Sequence, residues 1–154
     1  MKTSLNNWIA KSLAAAAIVV TATHAYAQQT TARTIIVSLE DRKLALLEDG
    51  QVKKVYTVAV GKPTTPSPEG SFTIERRVAN PTYHHNGKTV APGPGNPVGS
   101  RWMGLSKAGY GIHGTPAPEM ISATQSHGCF RLANWNAEKV IKMVKVGTPV
   151  DVEP

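Results

Sequence analysis

The chain has 154 residues with a formal charge of +7, only 6% aromatic residues and one cysteine. That length suits one domain around a single core, and a lone cysteine excludes any internal disulfide. The basic balance favours an anionic surface or substrate, but no helix carries a dense Lys/Arg stripe and aromatics are few, which argues against nucleic acid.

Lys2 and Lys11 flank a polar start, an apolar run follows from Leu13 to Val20, and "THAYA" ends at Ala27. Basic start, short apolar core and an A-x-A ending predict a secretory signal over residues 1–27, with an uncleaved anchor as the alternative. The run is short of the roughly 20 apolar residues that span a bilayer. The mature domain is expected over residues 28–154, with no membrane span, outside the cytoplasm in a periplasm or cell wall.

"RTIIVSL" (33–39) is rich in β-branched residues and reads as a strand. "KLALLEDGQVKKVYTVAV" reads as two strands joined at Asp49-Gly50, a strong hairpin signal. "GKPTTPSPEG" (61–70) carries three prolines and predicts a stiff loop, and "SFTIERRV" alternates as a strand. The stretch from Asn80 to Ser100 holds Pro81, Pro92, Pro94 and Pro97 and is expected to be a long irregular loop. Such loops are often lids or binding loops, and Tyr83, His84 and His85 make the polar tip of a candidate lid. "RWMGL" and "YGIHG" predict short strands. After the cysteine, Asn134 is placed to cap a helix whose Ala137, Val140, Ile141 and Val144 share one face, with Gly147 as its stop. "TPVDV" closes as a strand. The expected fold is mostly β, barrel-like or sandwich, with one helix after the cysteine motif.

Cys129 lies in "SHGCFRLAN" (126–134). An idle thiol in an oxidising space is a liability, so it is either buried or kept for its chemistry. A histidine can draw off the thiol proton; His127 at i−2 and His113, upstream in "YGIHGTP", are both candidates. In an extended segment His127, Cys129 and Arg131 share one face. Amides around Gly128 would suit an oxyanion hole, and the Arg131 guanidinium a substrate carboxylate. The combination reads as a Cys/His acyl-transfer site. A catalytic zinc held by His113, His127 and Cys129 is the alternative, disfavoured by the i, i+2 spacing and the missing second cysteine. His84 and His85 alone are a weak signal.

"IHGT" followed by "SHGCFRLAN" resembles the signature of the L,D-transpeptidase catalytic domain (YkuD-like). "TPSPEGSFTI", "APGPGNPVGSRWMGL" and "GTPVDV" extend the resemblance over about residues 33–153. It implies a mostly β, barrel-like catalytic domain without a cofactor or metal, acting on peptidoglycan stem peptides. Cys129 is then the nucleophile and His113 the base, oriented by the carbonyl of Gly114. Ser126, His127, Gly128 and Arg131 shape the oxyanion and substrate site. The acceptor amine would belong to a second stem or to a lipoprotein lysine. Water as acceptor would make the protein an L,D-carboxypeptidase. A non-catalytic wall-binding domain is a further alternative.

Overall fold

A computed structural model describes residues 30–122 and 126–154. The expected signal, 1–27, lies outside these residues. Ten strands and one α-helix follow in chain order: β1 (Arg33–Ser38), β2 (Lys43–Glu48), β3 (Gln51–Thr57), β4 (Gly70–Ala79), β5 (Tyr83–His85), β6 (Lys88–Val90), β7 (Arg101–Leu105), β8 (Gly111–Thr115), β9 (Phe130–Ala133), α1 (Asn134–Met143) and β10 (Pro149–Glu153).

Eight strands form one sheet in the order β3-β2-β1-β10-β4-β7-β8-β9. Its two ends nearly meet. Beyond β3 the chain reaches β9, where Ala59 and Arg131 exchange both backbone hydrogen bonds at 2.9 Å and Gly61 bridges Ser126. The expected barrel-like fold is therefore present as a nearly closed barrel. Asp49 and Gly50, at φ of 50° and 78°, make the tight β2–β3 turn that the Asp-Gly pair signals.

Apolar positions of alternate registers fill the interior. Ile35, Leu46, Ile74, Met103, Ile112, Phe130 and Leu132 are all fully buried, and α1 adds Ala137, Val140 and Ile141. The helix packs on β7, β8 and β9, the strands that carry the candidate site.

Three expectations need correction. The 80–100 stretch is not irregular throughout: β5 and β6 pair as a hairpin around Asn86 and Gly87, at φ of 47° and 75°. Asn134 does not cap α1. It is the helix's first residue, Ala133 holds the cap position without a side-chain bond, and the Asn134 Oδ1 instead accepts the Ser100 N–H at 3.0 Å. Gly147 does not stop the helix. The last helical residue is Met143, and Val144 leaves in an extended conformation; Gly147 serves the following turn at φ 88°, where Thr148 N–H bonds Lys145 O.

Candidate active site

The antiparallel β7–β8 pair sets Trp102 opposite His113. The parallel β8–β9 pair sets His113 opposite Arg131. Register partners project to the same face of a sheet, so Trp102, His113 and Arg131 share one face. Cys129, in the bend just before β9, joins them in lining the same cleft. That cleft, of about 620 Å³, contains His113, Cys129, Arg131, His127, Trp102 and the β5–β6 hairpin.

His113 is buried, and its Nδ1 lies 2.6 Å from Gly114 O. A carbonyl only accepts, so Nδ1 carries the proton and Nε2 keeps its lone pair. Burial pushes the imidazole down to about 4; the Gly114 bond opposes this and the Arg131 charge adds to it. Burial likewise raises the Cys129 thiol, against the Gly111 amide and Arg131, which lower it. Desolvation thus holds the pair as neutral imidazole and neutral thiol.

The Trp102 indole stacks on His113, with ring centres 5.6 Å apart and planes 22° from parallel. Two glycines make room for it. A Cβ on Gly111 would sit 2.6 Å from the indole, and one on Gly104 3.0 Å from its Nε1. Behind His113, a Cβ on Gly114 or on Gly99 would lie 2.2 Å from Asn134 Oδ1. Asn134 and Gly99 therefore pack directly against the peptide that orients the imidazole.

The cysteine loop rests on the proline-rich 61–70 loop. Ser67 Oγ donates to Gly128 O at 2.9 Å and accepts Gly61 N–H at 2.9 Å. Thr65 Oγ1 donates to Ser126 O at 3.0 Å. Gly128 has φ 111°, and a Cβ there would meet the Tyr110 ring at 2.6 Å and Pro66 O at 3.0 Å; only glycine fits. This bend interrupts the extended run expected through 127–131, and the strand begins at Phe130. The Gly128 N–H donates to the buried Ser126 Oγ at 3.0 Å, which takes that amide out of the expected oxyanion pair in this state.

His127 is exposed at the mouth of the cleft, its ring 6.4 Å from that of His85. His85 in turn stacks with Tyr83 at 6.0 Å. His84 bonds across the hairpin to Thr89 Oγ1 at 3.1 Å. Buried Asn96 ties down the hairpin's base: its Nδ2 donates to Pro81 O at 2.8 Å and to Val90 O and Ala91 O at 3.2 Å. Arg131 is half-buried, and its Nε is buried without a partner among the described residues. His113, His127 and Cys129 do not gather as an ion's ligands; no three His, Cys, Asp or Glu side chains do so among the described residues.

Reasoning from sequence missed Trp102, Ser67, Asn96 and the true role of Asn134. For Trp102 a signal existed: glycines at 104 and 111 in neighbouring strands leave room that only a large ring fills. Ser67 and Asn96 carried none, because their partners are fixed by tertiary pairing.

The sequence profile of the L,D-transpeptidase catalytic domain (YkuD) matches residues 32–152. The Bacillus licheniformis protein YkuD, classed as an L,D-transpeptidase, is 39% identical over 120 residues, covering 78% of this chain and 65% of the relative. The Bacillus subtilis protein YqjB, of the same class, is 37% identical over 122 residues, covering 75% and 68%. The chain thus spans about two thirds of the length of these curated relatives. Among solved structures, an Enterococcus faecium L,D-transpeptidase with a Cys-to-Ser substitution superposes with a TM-score of 0.65 at 29% identity, over 79% of this chain and 50% of that one.

Proposed function

This chain belongs to the L,D-transpeptidase catalytic domain family, and from that premise we propose that it is a cysteine acyl-transferase of peptidoglycan stem peptides. The observation that carries this reading is that His113 and Cys129 line one cleft, with the His113 tautomer set by Gly114 O.

Cys129 Sγ attacks the carbonyl of the L-centred residue 3 of a tetrapeptide stem, a diaminopimelate-type residue, as His113 Nε2 takes the thiol proton. The tetrahedral intermediate collapses, the C–N bond to the terminal D-alanine breaks, and His113 returns its proton to the leaving amine. A thioester remains on Cys129. An acceptor amine then attacks the thioester, gives a proton to Nε2, and the sulfur leaves and is reprotonated. A neutral starting pair suits both halves, because the base must be free to accept before each attack. The Cys129 amide takes the oxyanion with a further donor, Arg131 holds a substrate carboxylate, and Trp102 fixes the imidazole plane. The Tyr83–His85 hairpin forms the lid.

The acceptor is the amine of a second stem or of a lipoprotein lysine; water gives hydrolysis. The substrate lies outside the membrane, and the signal over 1–27 delivers the enzyme to the periplasm or cell wall. Mass spectrometry of products from disaccharide tetrapeptide tests the reading. Cross-linked dimer or exchange with an added amine supports transfer. Hydrolysis alone makes the protein a carboxypeptidase, and unchanged substrate refutes the assignment.

A further inference from the structure

β4 contains a bulge. Ile74 pairs with Leu105, but Arg76 pairs with Gly104, so two residues of β4 advance against one of β7. Before the bulge the pair faces the core: Ile74 is fully buried and Leu105 nearly so. Without the extra residue Arg76 would pair with Met103, whose side chain is fully buried in that core. The bulge gives the place opposite Met103 to Arg77 instead, whose exposed side chain bonds Ile141 O near the end of α1. Arg76 and, two residues on, Val78 are thereby moved to the outer face, and both line the cleft. Bulges beside active sites commonly re-aim a side chain in this way.

The register then gives a row across four strands. Arg76 opposes Gly104, whose absent Cβ would sit 3.5 Å from Arg76 Cβ and 3.0 Å from Trp102 Nε1. Trp102 stacks on His113, and His113 opposes Arg131. The lining of the cleft contains two arginines and no Asp or Glu. Among the described residues the one ion pair is Arg33–Glu48, elsewhere in the fold. Both cleft guanidiniums are therefore without a carboxylate. Three inter-strand steps, about 14 Å, separate the β4 and β9 backbones. Arg76 and Arg131 thus stand at opposite ends of the row, which lets the two guanidiniums hold two different carboxylates of one substrate.

We propose that Arg76, re-aimed by the β4 bulge, is a second carboxylate-binding residue that selects donor stems with a free acidic group over stems in which that group is amidated. The proposal rests on the stem-peptide reading above. Two carboxylates have the right chemistry: that on the side chain of a diacid at residue 3, and the free one of the acidic residue before it.

The test compares wild type, Arg76→Gln and Arg76→Lys on three tetrapeptides: both acids free, residue 3 amidated, and residue 2 amidated. The readout is kcat and KM for acylation of Cys129, followed by intact mass. Wild type should lose roughly tenfold in kcat/KM on one of the two amides, as expected for a charge-assisted bond. The position of that amide identifies the carboxylate. Arg76→Gln should treat this amide and the free acid alike, with the loss on KM, and Arg76→Lys should keep part of the preference. Equal alkylation of Cys129 by an uncharged thiol reagent in all three proteins establishes that the cleft is intact. A wild type indifferent to amidation, or a preference that survives Arg76→Gln, overturns the proposal alone. A wild type that no stem acylates overturns the stem-peptide reading and this proposal with it.

Discussion

His113 and Cys129 are pushed in opposite directions by the same burial, and that sets how the pair responds to pH. With the imidazole at about 4 and the thiol raised, His113 is free to accept a proton throughout the neutral range. Acylation should be flat from about pH 6 to 8 and should fall only as pH drops through about 4 to 5, where the base becomes protonated. A kcat/KM profile checks this; a step near 6.5 would mean a solvated imidazole. The same shift acts on stability. An unfolded chain takes up the His113 proton near 6.5, whereas the folded chain resists until about 4. Its contribution is fully present above pH 6.5 and fades as pH falls toward 4, by up to about 3 kcal/mol. Denaturant melts at pH 7 and 4.5 should show this loss in the native protein and a smaller one in His113→Gln. His113→Ala should lose about 10² to 10⁴ in acylation rate. His127→Ala should lose less, since its ring sits at the mouth beside His85; the reverse order would exchange their roles.

The β5–β6 hairpin is the element that sequence reading treated least well. Asn86-Gly87 is the same kind of turn signal as Asp49-Gly50, yet it joins strands of only three residues within a run of prolines. Alternation has little room to show over that length. The β4 alternation was legible, but the bulge that reverses its faces depends on pairing with β7. Asn134 reads as a cap from local sequence, and the Ser100 amide, 34 residues away, competes successfully for its oxygen. By contrast, Asp49-Gly50, the strands around it and the "IHGT"/"SHGC" pair were readable because each is local. The hairpin also carries a prediction. Replacing residues 83–90 with a Gly-Ser linker, while keeping Asn96 to Ser100, should leave Cys129 reactive toward a small thiol reagent and sharply reduce stem-peptide turnover. Unchanged turnover would make the hairpin a plain connection. Asn96→Ala strands the buried Pro81 carbonyl and the Val98 amide and removes the donor to the part-buried Val90 and Ala91 carbonyls, and should cost about 2 kcal/mol in a denaturant melt.

Across the molecule, near-closure of the barrel is what completes the site. The Ala59–Arg131 and Gly61–Ser126 contacts join the two ends of the sheet, and the 61–70 loop beyond them holds the cysteine loop through Ser67 and Thr65. Helix α1 braces the far side, with Asn134 against Gly114 and Glu138 Oε1 accepting Ser100 Oγ at 2.8 Å. The base on β8 and the nucleophile just before β9 are therefore each backed by a different long-range contact. The claim that this arrangement performs acyl transfer through Cys129 is tested most directly by intact mass after brief incubation with disaccharide tetrapeptide, for wild type and Cys129→Ala. Wild type should gain the mass of the donor less its terminal D-alanine, discharged on adding an amine. Cys129→Ala should fold, gain nothing and release no D-alanine. D-alanine release by Cys129→Ala at the wild-type rate would contradict the account.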